Sequence, residues 1–399
     1  MKNYKKIVAV ITSMTIMLCA TFSCGKEDKT SPPIYISDLT EISAVNPMDL
    51  EELPRTEYEC SEVDYLSGIS NITNISPLDN NRYLVITEET SAANEAYGAI
   101  KYQKLYVADD MNKTVTEITL DLGVNETAYS SVMGTRDGLI FAAVIEPEYE
   151  NGKNPGNASE ENLAQDHINY LFDHAKNVNY KLFILNTDGK VLSESNLDID
   201  YNKKEPVSWL VCNDYWDEKL VISALIVSEK NYLDIEITDY VVEINGDING
   251  KIKNNASRFK PNLKKTASDG KLCFVGTDYD ADEPHERIDF YDKDNYELSE
   301  TVSIKCENFD CDTRQGRLIT GTSGHGEDLM YLSSGIGLFS IDKDGKYENI
   351  INYLDHLSDN MKEITAVTVL DNNTVFVLAS GFFVDECCTK NIVYRFDSK

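Results

Sequence analysis

The chain has 399 residues and a formal net charge of -31, from 37 lysines and arginines against 68 aspartates and glutamates. Such a surface repels phosphate backbones, which excludes nucleic acid as a partner. Hydrophobic residues make up 42% of the chain, enough to build a buried core, so a globally disordered protein is excluded as well.

The N-terminus carries the pattern of a secretory signal. Lys2, Lys5 and Lys6 precede an apolar stretch over residues 7–20. That stretch has the length of a signal-peptide core and is shorter than the roughly 20 apolar residues that a membrane-spanning helix needs. Residues 1–23 are therefore predicted to be a signal peptide, with an uncleaved N-terminal membrane anchor as the alternative.

The apolar stretch ends at Cys24, and the residues around it resemble a bacterial lipobox. This resemblance implies that the Cys24 thiol receives a diacylglyceryl group, that the signal is cleaved just before it, and that the protein is held at the outer face of a bacterial membrane. Thr21 and Phe22 depart from the usual Leu and small residue, so ordinary secretory cleavage after Ala20 is the alternative. Residues 24–33 are polar and contain prolines, which predicts a flexible tether.

From about residue 70 onward, short runs rich in Val, Ile, Leu, Tyr and Phe alternate with turn clusters. Asp-Gly pairs such as Asp188-Gly189 and Asp344-Gly345 lie between apolar runs and predict tight hairpins. Four strands per repeat are typical of a propeller blade. Repeats begin near residues 70, 128, 205, 260, 308 and 361. We therefore predict an all-β fold, a β-propeller of six blades over residues 34–399, with seven blades or a β-sandwich as alternatives.

Two segments depart from this repeat pattern. The sixth repeat stops at Phe396 after three strands, so a strand from residues 34–42 or 57–66 is expected to complete it. Residues 151–180 open with a Gly, Pro and Asn loop and continue with acids and a rough apolar face, which predicts a short helix inserted in the second blade. Insertions of this kind decorate a face where function usually lies.

The cysteine count argues against a complete disulfide set. After the signal is removed and Cys24 is modified, seven cysteines remain, so at least one thiol stays free. Cys212 and Cys273 lie in strand-like apolar runs and are predicted to be small buried hydrophobes. Cys306 and Cys311 are close enough in sequence to pair across a turn.

Metal and cofactor signals are weak. His167 and His174 lie seven apart on the predicted helix, whereas two ligands on one helix face prefer spacings of three or four. Asp278, Asp280 and Asp282 have the alternating oxygens of a calcium loop, but Glu283 stands where an EF-hand loop needs Gly. We therefore predict no cofactor, with a looser calcium site as the alternative, and assign no metal ligand.

Catalytic signals are equally weak. Ser323 and His325 lie in a Gly-rich stretch that does not have the Gly-x-Ser-x-Gly order of a nucleophile elbow. Trp209 and Trp216 are candidate platforms for a ligand, although the surroundings of Trp209 favour a place in the core. No catalytic residue is assigned, and the ligand-binding residues stay unassigned.

Taken together, the Cys24 stretch, the polar linker and the repeated Asp-Gly hairpins resemble propeller-containing surface lipoproteins of gut clostridia, in which such a module often precedes a solute-binding domain. No second α/β region follows the repeats before Lys399. The resemblance therefore implies architecture and location but not import. The expected function is a lipid-anchored cell-surface module that binds a protein or glycan, with a role as an accessory of a transporter among its expected forms. The alternatives are a carbohydrate-active hydrolase or lyase and an envelope assembly factor.

Overall fold

A computed structural model describes most of the chain after the N-terminal 35 residues. The described residues are 36–43, 51–52, 57–79, 81–88, 99–152, 172–202, 206–216, 218–227, 235–254, 259–268, 271–278, 285–292, 294–306, 318–326, 329–334, 337–342, 346–352, 356–357, 363–369, 374–383 and 388–399. Across these ranges the protein is all-β, and no helix in them is long and apolar enough to cross a membrane.

The strands follow one another with few other elements between them. The first three are β1 (Ile36–Ser43), β2 (Glu51–Glu52) and β3 (Tyr58–Glu62). The next twelve are β4 (Ile72–Pro77), β5 (Arg82–Glu88), β6 (Gln103–Asp109), β7 (Thr114–Ile118), β8 (Tyr129–Gly134), β9 (Ile140–Tyr149), β10 (Ala175–Leu185), β11 (Val191–Asn196), β12 (Val207–Trp216), β13 (Lys219–Val227), β14 (Ile235–Glu243) and β15 (Ile248–Asn254). The last eleven are β16 (Phe259–Ser268), β17 (Lys271–Asp278), β18 (His285–Asp292), β19 (Leu298–Cys306), β20 (Leu318–Gly326), β21 (Leu329–Ser334), β22 (Gly337–Asp342), β23 (Lys346–Asn352), β24 (Glu363–Val369), β25 (Thr374–Phe383) and β26 (Cys388–Ser398).

The described strands form six sheets, which we number in chain order. Sheets 1, 2 and 3 consist of β4–β7, β8–β11 and β12–β15, and in each of them every strand pairs with the next along the chain. Sheet 4 has β16–β19 with β1 outside β19, sheet 5 has β20–β23 with β2 outside β23, and sheet 6 has β24–β26 with β3 outside β26. Four sheets thus have four antiparallel strands, and two have a fifth strand, which in sheet 5 runs parallel to its neighbour; the arrangement is propeller-like.

The sequence repeats coincide with these sheets. The first strands β4, β8, β12, β16 and β24 begin within two residues of the predicted repeat starts, and β20 begins ten residues after its own. A tight turn joins β10 and β11 as predicted, and its Asn186 Oδ1 accepts hydrogen bonds from the backbone N–H groups of Asp188 and Lys190. Gly189 has a φ of +78° there, and an added Cβ would lie 2.8 Å from the Thr119 carbonyl oxygen. Glycine is required at this turn. The other predicted pair, Asp344-Gly345, lies outside the described ranges.

The strand that completes sheet 6 comes from the N-terminal segment. β3 pairs antiparallel with β26. The Val63 N–H donates to the Val393 carbonyl at 2.9 Å, and the Lys399 N–H donates to the Glu57 carbonyl at 2.9 Å. This confirms that residues 57–66 supply the fourth strand. The other candidate segment, at residues 34–42, contributes β1 to sheet 4 instead.

The chain divides into two compact units. Unit 1 holds Gly68–Ser257 with sheets 1 to 3, and unit 2 holds Arg258–Lys399 together with the N-terminal segment to Ser67, with sheets 4 to 6. In unit 1 the central strand β9 is buried on both faces, and its residues 140–145 are at most 1% exposed. Such strands read as continuous apolar runs because both faces of their sheet are covered. In unit 2 a core cluster of Val375, Val377 and Phe396 is joined by Tyr58 and Cys60 of β3.

The two ends of the sheets in unit 1 differ. Turns of a few residues close one end, for instance at 135–139 and 186–190, which we call the tight-turn end. The β5–β6 connection (residues 89–102) and the β9–β10 connection (residues 150–174) join strand ends at the opposite end of the sheets, which we call the long-loop end. The predicted helical insertion falls in the second of these connections, and residues 153–171 lie outside the described part.

Candidate functional site

The first strands of the three sheets in unit 1, β4, β8 and β12, lie side by side and are joined by equivalent hydrogen bonds. The Ser76 hydroxyl of β4 accepts the Gly134 N–H of β8 at 2.8 Å. In the same way the Ser131 hydroxyl of β8 accepts the Cys212 N–H of β12 at 3.1 Å. An added Cβ at Gly134 would lie 2.8 Å from the Pro77 carbonyl oxygen, so this close approach requires glycine. Serine on one first strand thus holds the backbone of the next.

A reciprocal pair fixes the start of β8. The Gln103 Nε2 donates to the Ser130 carbonyl at 2.9 Å, and the Ser130 hydroxyl donates to the Gln103 Oε1 at 2.6 Å. The Ile100 N–H also donates to the Ala128 carbonyl at 3.1 Å. The end of the β5–β6 connection is therefore attached to the long-loop end of sheet 2.

Half-exposed neutral groups line these first strands, and we call them the first-strand row: Thr73, Asn74, Ser131 and Trp209. The Asn74 Oδ1 accepts the Ile75 N–H at 2.9 Å, while its Nδ2 donates to no residue in the described ranges. Ser131 accepts through its oxygen, so its hydroxyl proton remains available as a donor. The row therefore offers hydrogen-bond donors and acceptors without a formal charge.

Trp209 occupies an intermediate position. Its ring makes an edge-on contact with Tyr129, with centroids 6.4 Å apart, and packs against the core shared by sheets 2 and 3. The side chain nevertheless stays partly exposed. The prediction that Trp209 packs in the core is thus confirmed. Because part of its side chain is exposed, Trp209 also belongs to the first-strand row. The side chain of Trp216 is not among those described.

A buried polar chain crosses sheet 3. The Asn213 Nδ2 donates to the Ser223 hydroxyl at 2.6 Å, and that hydroxyl donates to the Asp239 Oδ1 in a short hydrogen bond. Ser223 and Asp239 are fully buried and Asn213 is 5% exposed. The Asn213 Oδ1 accepts no hydrogen bond within the described part of the chain. A serine on a carboxylate resembles a nucleophile with its base, but no substrate can reach a hydroxyl with no exposed surface. Its role is structural.

A charged network lies at the outer part of sheet 2. The Lys181 Nζ lies 3.0 Å from the Glu146 Oε2 and 3.0 Å from the Glu194 Oε1. Partial burial alone would lower the pKa of Lys181, but the two carboxylates outweigh it and raise the pKa above the ordinary value. The Glu146 Oε1 also accepts the Asn125 N–H at 2.9 Å, so the network holds the connection that leads into β8.

One acid is buried at the long-loop end. Glu88 ends β5 and is only 5% exposed. Its N–H donates to the carbonyl of Asn71, which has a φ of +55°. The other buried acids among the described side chains are Asp214 and Asp239. Glu88 is the buried acid that directly precedes the β5–β6 connection.

The two thiols whose surroundings are described are both free, Cys60 and Cys212. Burial raises the pKa of Cys212 to about 12, and burial together with the charge of Glu62 raises the pKa of Cys60 to about 11. Both thiols are therefore protonated and unreactive near neutral pH. The prediction that Cys212 is a small buried hydrophobe is confirmed.

For most of the other residues singled out in the sequence, the side-chain surroundings are not described. Cys24, His167, Asp280 and Asp282 lie outside the described ranges, and His174 is exposed. Ser323 and His325 are described only as backbone positions of β20. Within the described residues, no three His, Cys, Asp or Glu side chains are grouped so that they could hold a metal ion.

The sequence matches no protein-family model and no curated protein. Solved structures with a similar course include a protein of unknown function from Dyadobacter fermentans (9% identity, TM-score 0.49, covering 91% of this chain and 100% of that one). Another is an α-L-arabinanase of Penicillium chrysogenum complexed with arabinobiose (13% identity, TM-score 0.44, covering 82% of this chain and 98% of that one). A third is a sialidase of Trypanosoma rangeli in complex with 2,3-difluorosialic acid (10% identity, TM-score 0.45, covering 82% of this chain and 54% of that one). Likenesses at these scores transfer no activity or ligand to this chain.

Proposed function

We propose that the protein is a binding module, attached to the outer face of a bacterial membrane through lipidated Cys24, which takes its ligand on the first-strand row. The observation that carries this proposal is the row itself. Thr73, Asn74, Ser131 and Trp209 combine neutral hydrogen-bonding groups with a flat ring on strands that are fixed to one another by hydrogen bonds. Such an arrangement suits recognition, because its polar groups are already oriented before a ligand arrives.

The anchoring part of the proposal comes from the sequence. The proposed signal over residues 1–23, lipidated Cys24 and a tether to residue 33 would hold a folded domain outside the cell. The tether leads toward β1, which pairs with sheet 4, so the membrane attachment would continue directly into a strand of unit 2. Two buried acyl chains anchor stably where one does not.

We also propose that the six sheets are the blades of one propeller over residues 34–399, with seven blades as the alternative. The support is the match between repeats and sheets and the completion of sheet 6 by β3. A cryo-electron microscopy or crystal structure tests it by counting the sheets around a common axis. An arrangement without that axis would contradict it.

The experiment that tests the anchoring is expression in a lipidating bacterial host beside a Cys24→Ala variant. We expect the intact mass of the wild type to include a diacylglyceryl group on Cys24, and the protein to enter the detergent phase. The variant should appear in the aqueous phase. If both proteins are aqueous and begin near Thr21, the protein is secreted without a lipid and the anchoring proposal is wrong.

A carbohydrate-active hydrolase or lyase is the second candidate, and Glu88 is the observation that favours it. Glycoside hydrolysis generally uses a pair of carboxyl groups, one of them acting as an acid. Reducing-sugar release from a panel of polysaccharides, measured for the wild type and for Glu88→Gln, tests this candidate. Release that the variant abolishes would support an enzyme, whereas binding of the same sugars without release would support the binding module.

A further inference from the structure

The chemistry of the first-strand row identifies the class of ligand more closely. The row presents hydroxyl groups from Thr73 and Ser131, an amide from Asn74 and the indole of Trp209. The Thr73 hydroxyl donates to the Ile86 carbonyl at 3.2 Å, so its oxygen remains an acceptor. Neutral donors and acceptors beside a flat apolar ring complement a molecule that is itself uncharged, rich in hydroxyl groups and apolar on one face.

Two of the three strands that carry the row, β4 and β12, are unsuited to the main alternative, an extended peptide added to a sheet edge. Strand addition needs a regular run of backbone N–H and C=O groups. β4 has a register shift between Ile72 and Asn74, and β12 has shifts between Val207 and Trp209 and between Cys212 and Asp214. Bulges of this kind disrupt a ladder and turn an edge away from a partner strand.

The charge of the protein restricts the ligand further. A formal net charge of -31 makes close approach of an acidic polymer unfavourable. Lys181 on β10 of sheet 2 is already paired with Glu146 and Glu194. Sugars that carry carboxylate or sulfate groups are therefore poor candidates, and neutral sugars are not affected by this repulsion.

Resting on the proposed function, we infer that the ligand of the first-strand row is a neutral oligosaccharide. One sugar ring stacks on Trp209 of β12, and hydroxyl groups of the sugars that extend along the row bind to Ser131 of β8 and to Asn74 and Thr73 of β4. The hydrogen bonds that connect Ser76 with Gly134 and Ser131 with Cys212 hold these partners in place, so little ordering is needed on binding.

The test uses the full chain with Cys24→Ala, which separates sugar binding from lipidation. The protein is applied to an array of neutral oligosaccharides (gluco-, galacto-, manno-, xylo- and arabino-series) and acidic ones (uronic, sialylated and sulfated). Hits are then measured by calorimetry. We expect binding to neutral sugars with little dependence on salt concentration. Binding confined to acidic sugars, or no sugar bound at all, would overturn the inference. A protein partner found instead would leave the proposed function in place.

Variants locate the site. Trp209→Ala should weaken binding about tenfold through loss of stacking. Asn74→Asp keeps the shape of the side chain but removes the N–H donors, and should weaken binding about three- to tenfold. Met111→Ala, at an exposed residue of the tight-turn end, is the matched control and should bind as the wild type does. Near-ultraviolet circular dichroism shows whether Trp209→Ala is folded. Unchanged affinity in folded Asn74→Asp would place the ligand elsewhere.

Discussion

The two units of the protein are built from similar sheets but by different routes. In unit 1, sheets 1 to 3 each use four consecutive strands, and none of the other described strands joins them. In unit 2, each of sheets 4 to 6 takes a strand from the N-terminal segment, in the order β1, β2 and β3. Unit 1 can therefore form from local pairings, whereas sheet 6 can form only after β26, near the C-terminus, has been made.

The three N-terminal strands are not equivalent. β1 and β2 each add a fifth strand to a sheet that already has four, while β3 is the fourth strand of sheet 6. An outer strand left open is a template for pairing with another chain, so added strands protect an edge. We expect β3 to stabilise unit 2, and β1 and β2 mainly to cover edges.

Proline at Ser61 should destabilise unit 2 strongly. The Val63 and Lys399 N–H groups donate at the two ends of the β3–β26 pair. The alternation of an antiparallel ladder then places the Ser61 N–H toward β26 as well. Ser61→Pro removes that donor and should lower the free energy of unfolding by about 3 kcal/mol, measured by urea denaturation.

Glu62→Pro is the matched control for this prediction, because the N–H of the next residue points away from β26 in the same ladder. Its effect should be clearly smaller. Thr40→Pro in β1 tests a fifth strand in the same way, and should also lower the free energy of unfolding by less than Ser61→Pro does. Equal losses for all three variants would show that β3 has no special place among the N-terminal strands.

In unit 1, Ser223→Ala should have the next largest effect. The change leaves the Asp239 carboxylate and the Asn213 amide without the hydroxyl that connects them, in a region with no exposed surface. An unsatisfied buried polar group costs about 1–3 kcal/mol, which we expect as the loss in urea denaturation. Ser195→Ala removes an exposed hydroxyl that donates to the Asn245 carbonyl at 2.8 Å, and should cost much less. A similar cost for both variants would argue against a structural role for the buried chain.

The smallest effect concerns Lys181 and is visible as a dependence on pH. Its folded-state pKa is raised above 10.5, so the ion pairs with Glu146 and Glu194 stabilise unit 1 fully below that pH and are lost as pH rises through the folded pKa. Partly exposed pairs contribute about 1 kcal/mol or less. The difference in unfolding free energy between wild type and Lys181→Met, measured from pH 7 to pH 11, should narrow above pH 10.5. A constant difference would mean that the methylene stem, not the charge, provides the stabilisation.

Much of the fold could be read from local patterns. Asp188-Gly189 predicted its hairpin because only glycine adopts the φ of +78° without strain, and that requirement lies within a few residues of chain. Continuous apolar runs predicted strands such as β9 and β13. The free and buried state of Cys212 was predictable for the same reason, since its neighbours in sequence are also its neighbours in the strand.

The candidate site was much less predictable. Ser76, Ser131 and Asn74 are ordinary residues in sequence, and nothing local distinguishes them from the other polar residues of first strands. The buried polar chain of sheet 3 left one signal in the sequence, because Ser223 and Asp239 are polar residues inside the apolar runs of β13 and β14. Its three residues, however, lie on three different strands, so the sequence does not show that they meet. Hydrogen bonds between residues far apart in the chain require the register of the sheets, which a local pattern does not contain.

By itself the sequence determined the all-β class, the repeat positions, the turn residues and the excess of negative charge, because each depends on composition or on residues near one another in the chain. Only the tertiary structure decided that residues 57–66 complete sheet 6 while β1 goes to sheet 4. It also decided which serines join the first strands and which polar residues are sealed inside sheet 3. These are choices among several chemically similar partners, and the packing of sheets selects between them through backbone register and burial.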